Sequence, residues 1–581
     1  MEKRVLLAIF LAFLVLYAWQ AVFVKPIPKG TPGSSNAPSA DATSAGAGRS
    51  AEQNAASAPL PSAAAMPAQP KAPTAEALVT ATTERDVRVE TRDVIAVFTN
   101  RGARLKSWRL KHYLNQQNKP QELVVSQLAS QPLPFTLRTP NDATTATLND
   151  ALFAVSGEPP AAAEASSVDL RFEYSDRSGL HAMKEFHLDP SSYVVTFRAT
   201  VAEGDRVVTP TILWGPAVGD IGELSRYVKK AEGVFFANGK VSRLAPKDFA
   251  KQPAYDGNFT FVGVDDNYFM TVALSPGASK VTYQPVSIPA PVGTKEDPRE
   301  LVAYSIEPQH TGPIKFFAGP KDFDVLAGIG TDVTRAIDFG MFAVLVVPLL
   351  RSLKWVNNYV GNYGWAIIIL TIMINALMFP LRHKSVVSMR KMQEIQPEVK
   401  AIQDRYSKLK STDPAKQNMN KEMMALYRER GVNPASGCVP MLLTFPLIFA
   451  FYALLSTAIE LRSAPFIWWI HDLSSHDPYY VTPILMGISQ MWQQRIAPQT
   501  GVDPAQQKMM MLMPIVFTFM FVSAPSGVAI YWLVSNMWAI GQQYLTNYMI
   551  GPPKIRAVRP PGSSKMKRVG VGKTEAAARE S

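Results

Sequence analysis

Six long runs of uncharged, mostly apolar residues stand out along the chain, with polar segments between them. Their bounds are Val5–Val24, Trp365–Leu381, Val439–Ile459, Val481–Gln494, Met509–Ala524 and Val528–Ile550. A helix that crosses a bilayer needs about 20 mostly apolar residues, because hydrocarbon offers no partner to free backbone groups. The runs therefore predict six membrane spans, and Trp365–Leu381 is at the short end of the range.

The first run follows Met1-Glu2-Lys3-Arg4 and is long enough to span. A signal peptide has a shorter apolar core and a small-x-small cleavage site. We interpret the run as an uncleaved anchor; a signal peptide cut near Ala21 is the alternative, and Trp19 and Gln20 beside that site argue against it. The Ala-, Pro- and Ser-rich stretch that follows, to about Val79, has too few large apolar residues to fold and predicts a flexible tether.

From about Thr82 to Gly319 the apolar residues fall in short runs rich in Val, Phe, Tyr and Thr, separated by Gly, Pro, Asn and Asp. The clearest runs are Val94–Phe98, Leu123–Val125, Phe135–Leu137, Leu170–Tyr174, Tyr193–Val201, Val207–Leu213, Phe259–Val264 and Tyr268–Leu274. Such runs are typical of an antiparallel β-sandwich. No carboxylate pair or nucleophile motif stands out by its spacing. A structural or docking domain is therefore the better interpretation, and a carbohydrate-active site is the alternative.

The segment Val333–Val360 contains a shorter apolar patch, Phe339–Leu350, followed by Arg351, Lys354 and Trp355. The patch is too short to cross a bilayer, and basic and aromatic flanks suit a helix that lies in the membrane interface. A tilted span is the competing interpretation.

Charge predicts the topology. The segment Arg382–Gly431 carries twelve Lys or Arg against six Asp or Glu, whereas the aromatic loop Ala464–Tyr480 carries no Lys or Arg. Basic loops stay on the cytoplasmic side, and Trp and Tyr collect at membrane surfaces. We therefore expect the basic segment, both termini and the basic tail to be cytoplasmic, with the β domain and the aromatic loop on the other side.

Apolar residues in the basic segment recur at three- and four-residue steps, which predicts two amphipathic helices with a kink or interruption at Pro397. Its candidate binding residues are Met389, Met392, Met419, Met423 and Met424. These side chains either pack the two helices on each other or, being flexible and polarizable, offer an adaptable surface to varied partners.

Polar residues inside the apolar runs are the other candidates for function. Thr371 and Asn375 share a helix face, as do Gln490 and Gln494. Polar groups are costly in hydrocarbon, so they face a wet cavity or form hydrogen bonds between helices. No run carries an acidic or basic residue in its middle, which argues against an ion-coupled pump.

The composition excludes several kinds of site. The chain has 581 residues, a net charge of +12 and a single cysteine, Cys438, so it can form neither an intrachain disulfide nor a multi-cysteine metal site. The seven histidines are scattered and none belongs to a His-Glu-x-x-His motif, so a zinc hydrolase is not indicated. We expect no metal and no other cofactor.

Short motifs in a fixed order give the chain a resemblance to the YidC membrane-protein insertases of Gram-negative bacteria over nearly its whole length. They are Gly319-Pro320-Lys321-Asp322-Phe323-Asp324, Lys354-Trp355, Val360-Gly361-Asn362-Tyr363-Gly364-Trp365, Met378-Phe379-Pro380-Leu381, Met423-Met424-Ala425-Leu426-Tyr427, Val432-Asn433-Pro434, Gly437-Cys438, Trp469-Ile470-His471-Asp472-Leu473, Asp477-Pro478-Tyr479-Tyr480, Pro525-Ser526-Gly527, Tyr531-Trp532 and Ser535-Asn536.

The resemblance implies a polytopic α-helical membrane protein with six spans, a five-helix insertase core, a cytoplasmic helical hairpin and an exported all-β supersandwich. In that family a hydrophilic groove, open to lipid and to the cytoplasm, passes hydrophobic segments of nascent proteins into the inner membrane. The groove residues it implies here are Thr371, Asn375, Gln490, Thr518, Tyr531, Trp532 and Asn536. A wet cavity shortens the distance over which a polar flank lies unsolvated, and no ATP site is required.

One position departs from the family. Its members commonly have a groove arginine five residues before the proline of a Met-x-Pro-Leu motif, and this chain has Asn375 before Pro380. Either the groove is only polar here, or a basic residue at its cytoplasmic mouth, such as Arg382 or Lys384, supplies the positive field. We favour the first hypothesis, since Arg382 lies beyond the predicted span.

The sequence therefore predicts a non-enzymatic insertase and folding chaperone of the inner membrane. The expected domains are 1–24 anchor, 25–81 linker, 82–320 periplasmic β-sandwich, 321–363 interfacial helix region, 364–550 insertase core with spans near 364–381, 439–460, 481–495, 509–524 and 528–549 and hairpin 382–431, and 551–581 basic tail. Expected partners are nascent membrane proteins, the Sec translocon and membrane lipids, but not DNA. The basic tail is either a solvated, lipid-facing segment or a contact for the ribosome, whose RNA would attract it. A transporter or an envelope enzyme with a carbohydrate-binding sandwich is the rival.

Overall fold

The computed structural model describes residues 76–115, 117–125, 131–157, 166–217, 230–288, 299–330, 332–406, 415–432, 439–496 and 504–551. The predicted anchor 1–24, nearly all of the linker 25–81, Cys438 and the tail beyond Gly551 lie outside these residues.

Residues 77–320 form eighteen described strands, one short α-helix and a 3-10 turn at Pro246–Asp248. The strands are β1 Ala77–Val79, β2 Asp86–Glu90, β3 Val94–Thr99, β4 Arg104–Leu114, β5 Pro120–Glu122, β6 Thr136–Arg138, β7 Ala154–Ser156, β8 Val168–Asp176, β9 Leu180–Leu188, β10 Val194–Glu203, β11 Arg206–Val208, β12 Thr211–Ala217, β13 Glu232–Ala237, β14 Lys240–Leu244, β15 Ala254–Asp265, β16 Phe269–Ile288, β17 Arg299–Pro308 and β18 Ile314–Pro320; helix α1 is Asp142–Asp150.

The strands pair antiparallel in two sheets. The larger follows the order β1-β8-β9-β10-β18-β16-β15-β13-β14, with β17, β12 and β6 branching from β16, β7 on β8 and β11 on β10. The smaller sheet is β2-β3-β4-β5. Alternate residues of β9 point inward, as the period of two in a strand requires. The predicted all-β domain is confirmed.

The β domain has a core of aromatic rings around Phe135, which lies 5.1 Å from Phe186, 4.7 Å from Phe197 and 5.0 Å from Trp214 between ring centroids. Lys184 points into this core from β9 and is fully buried. Its Nζ donates to the carbonyl oxygens of Gly102, Ala103 and Phe135 at 2.6, 3.2 and 2.8 Å. The lysine thus ties β9 to two loops from inside the core, where an unsatisfied polar group would be costly.

Most of the predicted strand runs lie within observed strands, with three differences. Leu123–Val125 lies just after β5, and Val207–Leu213 is divided between β11 and β12 at Pro210, which has no N–H for the ladder. Tyr268–Leu274 covers only the start of β16, which continues to Ile288 through alternating polar residues. Helix α1 was not predicted, although Asn141 caps it by accepting from the Ala143 N–H.

The remaining helices are α2 Phe323–Ile329, α3 Ala343–Val360, α4 Tyr363–Glu394, α5 Gln396–Arg405, α6 Ala415–Glu429, α7 Val439–Thr457, α8 Val481–Ile496, α9 Pro504–Phe521 and α10 Ser526–Ile550. Helix α10 packs on α4 and α8, α8 packs on α9, and α3 packs on α4 and α7. Within the described residues, Gly340–Val360 and Tyr363–Glu394 are long and apolar enough to cross a membrane by length and composition.

Helix α3 corresponds to the predicted interfacial helix. Its Leu350 and Leu353 are buried, while Trp355 and Tyr359 are exposed. This division suits a helix with one face on the protein and an aromatic face at a membrane surface. Because Gly340–Val360 also meets the length for a span, the interfacial placement stays a prediction.

Helix α4 continues well beyond the predicted end of the span at Leu381 and ends at Glu394, with Pro380 inside it. The next helix, α5, begins at Gln396 with Pro397 in its first turn. The predicted interruption at Pro397 is confirmed: a new helix begins there, and proline is well suited to the first turn of a helix because that turn needs no N–H from it. The first part of the basic segment is therefore a continuation of helix α4.

Polar contacts join the β domain to the helices. The guanidinium of Arg462 donates to the Leu114 carbonyl at 2.7 Å and to Gln121 Oε1 at 2.8 Å, and it lies over the Phe269 ring at 5.0 Å. Asn267, in the turn before β16, donates to the Ser456 carbonyl at the end of α7. These contacts fix the sandwich against the C-terminal end of α7 and the loop that follows it.

Candidate functional site

The helix α4 carries a buried polar cluster, which we define as Thr371, Asn375 and Arg382 of α4 together with Tyr531 of α10. Thr371 is fully buried and donates from Oγ1 to the Ile367 carbonyl at 2.6 Å. Asn375 is nearly as buried and donates from Nδ2 to the Thr371 carbonyl at 2.8 Å. A chain of polar side chains therefore follows one face of α4 into the apolar helices.

Arg382 belongs to this cluster although it lies about two turns further along α4 than Asn375. Its Nη1 donates to Asn375 Oδ1 at 2.7 Å. Residues seven apart lie on the same face of a helix, and a long arginine side chain can reach back along it. Although Arg382 lies beyond the predicted span, it contacts Asn375, because α4 runs unbroken through both residues. The structure thus favours the alternative hypothesis, that Arg382 brings positive charge to position 375.

The charge of Arg382 has no carboxylate partner among the described residues. Tyr531, on the facing helix α10, is buried, stacks on Phe451 of α7 at 4.5 Å between centroids, and interacts electrostatically with Arg382. An arginine with only neutral partners, among apolar helices, keeps donors available for an acceptor that enters.

The other predicted groove residues lie mainly at helix contacts. Asn536 of α10 donates from Nδ2 to Ser489 Oγ at 3.0 Å, across the α8–α10 contact. Thr518 of α9 packs against Gly487 of α8, where an added Cβ would come within 2.0 Å of the threonine Oγ1. For Asn536 and Thr518 these contacts favour the alternative interpretation, a role in helix packing.

Trp532 and Gln490 complete the predicted set. The Trp532 ring contacts Phe517 and Phe521 of α9, at 5.8 and 5.1 Å between centroids. The Oε1 of Gln490 is buried without a hydrogen-bond partner among the described residues. The set therefore does not form one site: Thr371, Asn375 and Tyr531 lie together, and the others line neighbouring contacts.

Helices α7 and α9 carry exposed apolar side chains in the part of the chain that the structure describes. On α7 these are Phe445 and Phe449, both exposed. On α9 they are Met511, Leu512, Met513, Ile515, Val516, Phe519 and Met520. In the described part of the chain α9 packs closely on α8 and not on α7. Phe451 of α7 stacks on Tyr531 of the cluster, and Phe517 of α9 contacts the neighbouring Trp532, so both helices bring apolar side chains close to the buried polar groups.

The hairpin of α5 and α6 has its own small core. Ile395, Val399 and Val432 are buried there, and Met392 and Met423 pack against them. Glu398 and Arg430 form a buried ion pair at 2.7 Å that fixes the end of α6 to the start of α5. Within the set of methionines, Met392 and Met423 therefore serve packing.

Three methionines remain for a surface role. Met424 is exposed, and Met389 and Met419 are half-buried. Among the described residues no group of three or more His, Cys, Asp or Glu side chains could hold a metal ion.

The contact of Arg382 with Asn375 differs from the favoured hypothesis of a groove that is only polar. The spacing of seven residues is the sequence signal for this contact, since it places both residues on one helix face. Arg462 was not singled out at all, since nothing in a single sequence indicates that it meets β4 and β5.

Comparisons with known proteins cover most of the chain. Residues 355–552 match the family model described as 60Kd inner membrane protein, and residues 86–352 match the YidC periplasmic domain. The membrane protein insertase YidC of Geobacter metallireducens is 36% identical over 564 residues, covering 96% of this chain and 100% of the relative. That of Geotalea daltonii is 34% identical over 556 residues, covering 94% and 99%.

Two solved structures are similar over part of the chain. One, described as an active YidC insertase crystal structure with the first transmembrane domain resolved, is 18% identical with a TM-score of 0.33 and covers 82% of this chain and 95% of its own. A putative aldose 1-epimerase from Escherichia coli is 10% identical with a TM-score of 0.26 and covers 41% of this chain and 100% of its own. Neither likeness is strong enough to bear on function.

Proposed function

Because the chain belongs to the YidC family of membrane protein insertases, we propose that it passes hydrophobic segments of nascent proteins into the inner membrane and assists their folding. Its full-length relatives are named membrane protein insertases, and the chain spans nearly their whole length. The activity needs no catalytic residue and no cofactor.

The observation that carries this proposal is the buried polar cluster beside an uncovered apolar surface. Thr371, Asn375 and Arg382 offer hydrogen bonds and charge to a polar flank, while α7 and α9 offer an apolar surface to the hydrophobic segment. A polar flank that enters such a site is unsolvated over a shorter distance than in a plain bilayer. The hydrophobic segment can meanwhile leave sideways into lipid.

In this proposal the chain crosses the membrane six times. The first span is the anchor 1–24, and α4, α7, α8, α9 and α10 form the five-helix core. The β domain, 82–320, and the aromatic loop are periplasmic, and both termini and the hairpin are cytoplasmic, as the distribution of Lys and Arg favours. The region 321–363, with α3, lies at the periplasmic membrane surface.

In this proposal the hairpin binds the hydrophobic segment first, and the tail binds a polyanionic partner. We propose that Met389, Met419 and Met424 contact the hydrophobic segment before it reaches the polar cluster, since flexible methionines adapt to varied sequences. The basic tail 551–581 is assigned to the ribosome or to anionic lipid, both of which attract basic segments in a salt-dependent way. The Sec translocon is the other proposed source of substrates.

The rival function, a transporter or an envelope enzyme with a sugar-binding sandwich, is not favoured. The relatives are named insertases, and the family model for the β region is described as a YidC periplasmic domain.

Reconstitution tests the proposal. Purified protein in liposomes should insert a small single-span substrate so that its translocated flank becomes protected from protease. Liposomes that hold the variant Thr371→Val with Asn375→Leu should insert it several-fold more slowly, because the cluster then loses two of its four polar side chains and keeps only those of Arg382 and Tyr531. Equal protection with the wild type, the double variant and empty liposomes would contradict the proposal.

A further inference from the structure

A cavity separate from the buried polar cluster lies between α4 and α10, and its lining is apolar. It has a volume of about 590 Å³, and its walls include Ala376 and Phe379 of α4 and Met537, Trp538, Gly541 and Leu545 of α10. We refer to it as the α4–α10 crevice. Its walls are almost entirely carbon, so it suits an apolar occupant.

The crevice opens sideways. Around it Met373 and Leu377 of α4 and Tyr544 of α10 are exposed, Leu377 by 78% of its surface. On a helix long and apolar enough to span a bilayer, such side chains face lipid tails. The mouth of the crevice is therefore in contact with hydrocarbon and not with water.

The size of the crevice selects the kind of occupant. A 20-residue helix about 10 Å across has a volume of roughly 2,400 Å³, several times that of the crevice. A transmembrane segment could lie across the mouth but could not enter. A single flexible acyl chain is narrow enough to do so.

Charge at the cytoplasmic end of α4 indicates the class of lipid. Lys384 and Lys391 continue the face that carries Leu377 and are exposed, and neither forms an ion pair with a described residue. Lys384 lies five residues beyond Phe379, or about 7.5 Å along the helix. Towards the C-terminal ends of α4 and α10 the two helices are in hydrogen-bond contact: His383 contacts Thr546 at 3.2 Å, and Arg390 donates to Asn547. The crevice is therefore closed at that end.

The geometry points to a binding site for an anionic phospholipid. One acyl chain occupies the α4–α10 crevice, and the phosphate lies at Lys384 and Lys391, on the side that the proposed topology makes cytoplasmic. Basic side chains at that leaflet attract anionic headgroups. A lipid held there closes this flank and leaves the side between α7 and α9 to the nascent segment.

Gly541 offers a direct test, because a Cβ added there meets nothing within 4 Å. Gly541→Leu should therefore fill the crevice without disturbing the helix contact, and Gly541→Ala is the matched control. Ala376→Leu fills the same space from the opposite wall. The full chain is reconstituted in nanodiscs of equal phosphatidylglycerol and phosphatidylcholine, and the lipids it retains are counted by native mass spectrometry.

We expect the wild type and Gly541→Ala to retain one phosphatidylglycerol in preference to phosphatidylcholine, and both leucine variants to lose it. Lys384→Gln with Lys391→Gln should keep a bound lipid and lose the preference, which two lysines would make roughly 5- to 25-fold. If both leucine variants retain the lipid of the wild type, or the wild type retains none, the site does not exist. Insertion is measured on the same variants, so a loss of lipid with insertion intact separates this inference from the proposed function.

Discussion

Arg382 carries the most specific prediction, because its guanidinium lies at the side chain that replaces the family's groove arginine. Arg382→Gln removes the charge but keeps an amide that can donate to Asn375. We expect this variant to insert substrates with an acidic translocated flank more slowly and to leave neutral flanks nearly unaffected. The Nη1–Oδ1 distance of 2.7 Å shows that the charge reaches position 375 in the folded protein.

The magnitude follows from the distance between charges. A carboxylate that approaches Asn375 comes within about 8 Å of the guanidinium, where opposite charges attract by about 2 kcal/mol at an effective dielectric constant near 20. Water in the groove could halve this value. Since 1.36 kcal/mol is a factor of ten in rate, Arg382→Gln should slow acidic substrates by roughly 5- to 30-fold.

The assay compares two single-span substrates that differ only in Asp or Asn at one position of the translocated flank. Initial rates of protease protection are measured in proteoliposomes for the wild type, Arg382→Gln and two variants of Asn375. Asn375→Arg alone brings two guanidinium groups together and should not improve insertion. Asn375→Arg combined with Arg382→Asn moves the one charge up the helix and should restore the preference for acidic flanks.

Equal slowing of acidic and neutral substrates by Arg382→Gln would refute this reasoning. Arg382 would then serve the packing of α4 and not the attraction of substrate. Failure of the combined variant, with full activity of Arg382→Gln on acidic flanks, would show instead that the groove acts by polarity alone.

Three further predictions concern packing and the β domain. Lys184→Met leaves three buried carbonyl oxygens without their donor, at a cost of about 1–3 kcal/mol each. The midpoint temperature of thermal unfolding of the β domain should therefore fall strongly, whereas a surface Lys→Met change should have little effect. Gly487→Ala forces α8 away from Thr518 of α9, because the added Cβ would come within 2.0 Å of the threonine Oγ1. Insertion and the thermal stability of the purified protein should both fall, with Gly541→Ala, where the added Cβ meets nothing within 4 Å, as the control. The hydrogen bond that His187 donates from Nδ1 to Asp169 Oδ1 raises the pKa of His187, so the stabilisation by this pair is complete at acidic pH and is lost as pH rises through the folded-state pKa. Denaturant unfolding should show a loss below about 1 kcal/mol, because solvent screens the pair, and His187→Gln should abolish it.

Much of the architecture could be predicted from local pattern. Period-two alternation and turn residues indicated the sandwich, and long uncharged runs indicated the helices. The ends of the elements were less predictable. Helix α4 continues to Glu394 because Leu, Arg, Lys and Met, which favour helices, follow Pro380, and charge alone does not end a helix. The length of β16 was underestimated, because its second half alternates polar residues that face solvent.

The sequence predicts that Thr371 and Asn375 share one face of α4, but not which residues of the neighbouring helices the site contacts. The spacing of Thr371 and Asn375 placed them together, as the structure does. The contact of Asn536 with Ser489 depends on how α8 lies against α10, which one sequence does not specify. The position of the Arg382 guanidinium depends on a rotamer chosen by the surrounding helices, and so required the structure.

Photocross-linking of a stalled nascent chain tests the central claim most directly. A photoreactive residue is placed at Phe445 of α7, at Val516 of α9, or at Met373 on the lipid-facing side of α4. We predict that the hydrophobic segment of the nascent chain cross-links at Phe445 and Val516 and only weakly at Met373. Cross-linking of equal strength at all three positions, or at Met373 alone, would contradict the claim that segments enter the membrane between α7 and α9.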